Sequence, residues 1–142
     1  MVDDDPDDVS LFQTALREIQ FTSPVELITA EKGSVLFNTL NAWLRDNHPP
    51  PDLILLDLNL PIIDSITVLR NLKSDFRFRP IPVIALTTSS DKANIDSCYD
   101  IGVNAFITKP DSFEEIVAMV SSILNFWCRN VKLPGWGPHR GI

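Results

Sequence analysis

Residues 52–61 read Asp52-Leu53-Ile54-Leu55-Leu56-Asp57-Leu58-Asn59-Leu60-Pro61. Leu53 to Leu56 form an unbroken apolar run, too short for a free-standing helix and bounded by prolines. Such a run reads as a strand buried on both faces, which an α/β protein with a parallel sheet requires. It stops at Asp57. An acid at the end of a doubly buried strand is either a local cap or a working group held at the rim of the sheet.

The pattern repeats downstream. Ile81 to Leu86 is a second buried strand, with Pro80 and Pro82 confined to its start, and it ends in Thr87-Thr88-Ser89-Ser90. Ala105-Phe106-Ile107 is a third, running into Thr108-Lys109-Pro110. Between these runs lie helices. Ile62, Ile66, Leu69 and Leu72 mark one as far as Lys73, and residues 91–101 a weakly apolar one closed by Gly102. Ser112 and Glu115 form a capping box for a long last helix striped by Phe113, Ile116, Val117, Val120, Ile123, Leu124 and Trp127.

Upstream, the acids Asp3, Asp4, Asp5, Asp7 and Asp8 precede a helix marked by Val9, Phe12, Leu16 and Ile19. Asp5 is a natural N-cap with Pro6 at the first helical position. Acids in a first turn suit the helix dipole, which accounts for Asp7 and Asp8 but poorly for Asp3 and Asp4. Val25 to Thr29 reads as an edge strand with Glu26 on its wetter face. Ser34 to Arg45 is helical, with Trp43 in the core, and the Pro49-Pro50-Pro51 run forms an extended connector in which His48 is a surface residue. Alternating strands and helices imply right-handed crossovers, a parallel sheet and helices on both faces.

With 142 residues, 44% of them hydrophobic, the chain suits one globular domain with a substantial core. A formal net charge of −7 argues against nucleic-acid binding, which needs a basic surface. Cys98 and Cys128 show no metal-ligand spacing and read as reduced thiols. No apolar run reaches the length of a membrane span, and the acidic start is the reverse of a signal peptide, so the expected location is cytoplasmic.

Each buried run thus ends in a residue able to handle phosphate or metal: Asp57, Thr87 and, just beyond the third, Lys109. Asp3 and Asp4 occupy the same level if Val2 ends a first strand. In an open α/β sheet the carboxyl ends of neighbouring strands form the ligand crevice. Carboxylates gathered there repel unless a cation shares them, and a hard divalent ion takes such oxygen ligands. Mg²⁺ held by Asp3 or Asp4 and Asp57 neutralises charge as an Asp57 oxygen attacks phosphorus. Lys109 offers a point charge to the phosphoryl group and Thr87 a hydroxyl, and the product is an aspartyl phosphate.

These residues resemble the receiver domains of two-component response regulators, through Val2-Asp3-Asp4, Asp57 within LLDLNLP, Thr87-Thr88 and Lys109-Pro110. The resemblance implies a doubly wound, flavodoxin-like five-stranded sheet of order 2-1-3-4-5. It also implies Asp57 as phosphoacceptor, Asp3 and Asp4 as the metal pair, and a backbone carbonyl from Asn59 to Mg²⁺. Thr87 is then the switch hydroxyl beside Thr88, Lys109 the phosphate contact, Lys109–Pro110 a cis peptide, and Phe106 the aromatic switch. Partners implied are a sensor histidine kinase or a phosphotransfer protein. Tyr99-Asp100, residues 104–109, Phe126-Trp127 and Leu133-Pro134 resemble single-domain regulators served by phytochrome-type histidine kinases. On this reading residues 1–133 are the receiver and 134–142 a tail too short for an output domain. The signal then leaves through protein contacts, including a homodimer on the last helix, where Met119, Phe126, Trp127 and Val131 exceed one buried stripe.

Three features depart from the pattern. Ser65 replaces a customary glycine. Thr88 is bulkier than the Ala or Gly often found beside the switch Thr, and is expected to slow phosphotransfer. Only Met1 and Val2 precede Asp3, whereas a buried strand needs about five residues, so the sheet is expected to have a gap filled by residues upstream of Met1 or by a second copy. Two other functions compete. A haloacid-dehalogenase-type phosphohydrolase also uses a strand-end Asp nucleophile, but wants a second Asp where Asn59 stands. A phosphorylation-independent interaction module keeps the fold without the chemistry. The resemblance favours a phosphoacceptor rather than an enzyme acting on other substrates.

Overall fold

The structure, a computed structural model, describes residues 1–88 and 92–135. Ser89, Ser90, Asp91 and the tail beyond residue 135 lie outside the described residues, as do the side chains of residues 62–64, 92 and 93. The helices are α1 (Pro6–Glu18), α2 (Gly33–Arg45), α3 (Ile62–Ser74), α4 (Lys92–Ile101) and α5 (Phe113–Ile123). Three parallel strands, β1 (Ile54–Asp57), β2 (Val83–Thr87) and β3 (Ala105–Thr108), lie in that order.

The local signals act as expected. The Asp5 carboxylate accepts from the Asp7 N–H at 2.9 Å, with Pro6 next in the helix. Ser112 Oγ accepts from the Glu115 N–H at 3.2 Å. Gly102 takes φ +115°, where a side chain is strained, and its N–H closes α4 on Cys98 and Tyr99 carbonyls. Apolar side chains on the two sheet faces form two cores. One gathers Val2, Leu40, Leu56, Leu69 and Phe78, and the other Phe12, Leu55, Ile84, Val120 and Leu124. At the far end of the sheet from Asp57, Lys73 Nζ donates to the Ile81 carbonyl at 2.8 Å and to Asn104 Oδ1 at 3.0 Å, tying α3 to the start of β2.

The first strand is a stub. Val2 bridges Ala30 on one side and Leu56 on the other, both parallel, which puts residues 1–3 between residues 28–30 and β1. The order 2-1-3-4-5 is thus kept, although Val25–Thr29 is not a regular strand. Among the described residues its neighbour is residues 1–3, and its backbone pairs at its end, where Ile28 and Ala30 carbonyls accept from Met1 and Asp3. Below the stub, between residues 25–28 and 51–55, lies an apolar cavity of about 460 Å³. Among the described residues the sheet is therefore not fully paired beside the short first strand.

The last helix also differs from one continuous α-helix. Beyond Ile123 the chain winds as a π-helix over Leu124–Asn130. The side chains of Ser122 and Asn125 donate back to the Ala118 and Ser121 carbonyls at 2.9 Å, competing with the ordinary ladder at the junction. The Phe126 and Trp127 rings meet edge to face at 5.3 Å, and Phe126 stays largely exposed.

Candidate functional site

Asp57 is the last residue of β1, and its backbone is held from both sides. Its N–H donates to the Val2 carbonyl at 2.9 Å, and its carbonyl accepts from the buried Ser65 hydroxyl at 2.8 Å. Ser65 thus uses the place of the customary glycine to fix the acceptor strand to α3. The carboxylate is 2% exposed. Its Oδ1 accepts from the Asn59 N–H at 2.9 Å, a turn that aims Oδ2 towards Lys109, 3.3 Å away.

The strand-end residues of the sequence reading come together. Lys109 follows β3, and its N–H donates to the Thr87 carbonyl at 2.7 Å, so β2 carries it to the rim beside Asp57. Its Nζ lies 2.6 Å from Asp8 Oδ2 and 3.2 Å from Asp3 Oδ2. Thr87 is buried, and its hydroxyl donates to Asn59 Oδ1 at 3.2 Å. Phe106 is half-buried in β3 and packs on the core containing Val2 and Leu56. Thr88 is exposed and shares two hydrogen bonds with the Asn59 amide, at 3.1 and 3.3 Å. Trading that pair for a methyl in Thr88→Ala frees the rim above Asp57. Phosphotransfer from acetyl phosphate is expected to run about threefold faster in this variant, and equal rates by intact-mass time courses would remove the idea.

Among the described residues the acids whose oxygens converge within 4.8 Å are Asp3, Asp8 and Asp57, while Asp4 is exposed. Asp8 sits on the inner side of the first turn of α1, whereas Asp4 precedes the cap. One expectation is corrected: the Lys109–Pro110 peptide is trans, as no described peptide bond is cis. The trans form is the lower one for X-Pro by about 0.5–1 kcal/mol, and the contacts of Lys109 form with it.

Burial dominates the electrostatics. It pushes the Asp3 carboxyl up from 3.8 to about 6. The Asp5 N–H and the Lys109 charge pull it back down, and Asp57 pushes it up. For Lys109 burial works against the charged form, but the Asp8 hydrogen bond and the three carboxylates outweigh it and raise its pKa. Three carboxylates against one ammonium leave excess negative charge, and a donor set of close carboxylate oxygens suits a hard divalent cation.

The chain matches the response regulator receiver domain family over residues 1–121 and belongs to it. It is 36% identical to response regulator Rcp1 of Synechocystis sp. over 94% of this chain and 90% of that protein. The Mn²⁺-bound form of Rcp1 superposes with a TM-score of 0.77, at 35% identity over 94% of this chain and 96% of that one. The phosphorylated cyanobacterial phytochrome response regulator RcpA gives 0.80, at 38% identity over 94% and 95%. The fold is therefore the flavodoxin-like receiver fold, and the acidic pocket of Asp3, Asp8 and Asp57 fits a phosphoacceptor site. Receiver domains bind a divalent metal at this pocket, act in signalling rather than as enzymes, and meet histidine kinases or phosphotransfer proteins. No helix among the described residues is long and apolar enough to cross a membrane.

Proposed function

We propose that this chain is a phosphorylation switch in which Asp57 takes a phosphoryl group from a histidine kinase with Mg²⁺ bound. The observation that carries this reading is the convergence of Lys109 Nζ, 3.3 Å from Asp57 Oδ2, with two further carboxylates around the same point. An Asp57 oxygen forms the new bond to phosphorus while the bond from phosphorus to the phosphohistidine nitrogen breaks and its electron pair leaves with nitrogen. When bound, the metal neutralises charge on the phosphoryl oxygens. Asp3, Asp4 and Asp57 are its carboxylate ligands, and Asn59 contributes its backbone carbonyl. Lys109 takes one phosphoryl oxygen, and the Thr87 hydroxyl leaves Asn59 for another, moving Thr88 and Phe106 with it.

Residues 1–133 form the switch, and residues 134–142 a tail. The chain works in the cytoplasm and promotes its own phosphorylation and dephosphorylation through these groups. Exposed Phe126 beside Trp127 supports a homodimer through the C-terminal helical face.

Incubation with acetyl phosphate and Mg²⁺, followed by intact-mass measurement, tests the reading. One retained phosphoryl adduct is expected in the wild type and none in Asp57→Asn. Continuous turnover of many phosphate esters would instead indicate a hydrolase, and an unchanged wild-type mass an interaction module that works without phosphate.

A further inference from the structure

Lys109 has three N–H donors, and the structure surrounds its Nζ with three carboxylates: Asp8 at 2.6 Å, Asp3 at 3.2 Å and Asp57 at 3.3 Å. An arriving phosphoryl oxygen can reach the lysine only if one of these contacts is given up. Asp57 is the residue being phosphorylated, and the Asp3 side chain has no exposure. Asp8 is 34% exposed. It lies in the first turn of α1, where water and the helix dipole both stabilise a carboxylate that has lost its partner. Asp8 is thus the least costly contact to break, although it is the shortest.

We propose that Asp8 is a placeholder for the phosphoryl group: it holds Lys109 in the unphosphorylated chain and releases it when Asp57 is phosphorylated. The proposal rests on phosphoryl uptake at Asp57 as set out above. Asp8 is then a positioning residue that acts through Lys109 and sets how readily the lysine turns to the incoming group. The handover also reaches the surface. Asp8 belongs to α1, whose Phe12 and Ala15 pack in one core with Val120, Ile123 and Leu124, against which Trp127 also lies. Releasing the first turn of α1 therefore loosens a contact at the base of the C-terminal helical face.

The test compares Asp8→Asn, Asp8→Glu and wild type under limiting acetyl phosphate with Mg²⁺, with the Tm of each recorded. Asp8→Asn is expected to be phosphorylated about fivefold faster, since one charge-assisted contact no longer competes for Lys109. Asp8→Glu, which keeps the charge, is expected to return to the wild-type rate. A second measurement needs no variant. In wild-type protein labelled with ¹³C, the Asp8 carboxyl resonance is expected to shift on adding beryllofluoride and Mg²⁺, as Lys109 leaves it. An Asp8→Asn chain of wild-type Tm that reacts no faster, or an Asp8 resonance that stays put on saturation, overturns the placeholder role alone. A wild type that takes up no phosphoryl group overturns both this role and the switch on which it rests.

Discussion

In buffer free of divalent ions at pH 7.5, Asp3→Asn is expected to be more stable than the wild type by about 2 kcal/mol. The Asp3 side chain has no exposure, and burial, the largest influence on it, raises its carboxyl from 3.8 to about 6. Two units amount to about 3 kcal/mol, from which the weakened Lys109 contact subtracts part. Between pH 4 and 6 the folded chain keeps a proton that the unfolded chain has lost. Wild-type stability therefore falls as pH rises through that window and stays lower above it. The Asn variant lacks this group, so its advantage is expected at pH 7.5 and not at pH 4. Urea unfolding at the two pH values measures it, and the same advantage at both would remove burial of the Asp3 charge as the cause. Adding millimolar Mg²⁺ is expected to raise the wild type more than the variant, because the cation relieves the same charge. On the proposed reading, in which Asp3 holds the metal, the same buried charge destabilises the metal-free chain.

Asp57 and Thr87 were legible because each ends a buried apolar run, and Lys109 because it follows a third, half-buried one; parallel strands bring such ends to one rim. That signal needs no knowledge of side-chain direction. Asp8 shows where it stops. A first-turn acid has a sufficient local explanation in the helix dipole, and nothing in the residues around it reveals a lysine 101 positions away. The available clue was an excess of acids over what capping of α1 by Asp5 requires. Adjacent residues leaving a strand point to opposite sides, so Asp3 is buried while Asp4 beside it is exposed, a difference that two adjacent identical residues do not reveal. Val25–Thr29 has the composition of a strand, but a ladder needs a neighbour of matching length, and residues 1–3 supply only its last rung. The π turn after Ile123 was hidden because it keeps the apolar stripe roughly in line while side-chain donors compete for the backbone carbonyls.

A five-residue apolar, β-branched extension fused ahead of Met1 is expected to raise Tm by about 10 °C, whereas a Gly/Ser extension of equal length leaves it nearly unchanged. The walls of the slot are already aligned for it. Val2 N–H donates to the Leu55 carbonyl at 2.8 Å, so the Leu55 N–H faces the same side, one step further into the slot. On the other wall the Met1 amine donates to the Ile28 carbonyl at 2.7 Å, as the amide of a continuing strand does. The cavity beyond is lined by Leu16, Leu27, Leu36, Leu40, Leu53 and Val120. Burying several apolar side chains there, with new ladder bonds and after the cost of ordering the added residues, leaves about 3 kcal/mol. The amine provides an independent readout. Burial lowers it from 8.0 to about 6, partly countered by the Asp3 charge. Between pH 6 and 8 the unfolded chain therefore binds more protons than the folded one, so this group makes wild-type stability rise with pH there. With Asp3 acting oppositely below pH 6, these two groups together place a minimum near pH 6. The extension replaces the amine by a peptide amide, so the rise from pH 6 to 8 is expected to vanish while the fall below pH 6 remains. A rise from pH 6 to 8 that survives in either extension would mean that a group other than the Met1 amine carries it, and an equal gain in Tm from the Gly/Ser extension would mean that the gain does not come from filling the slot.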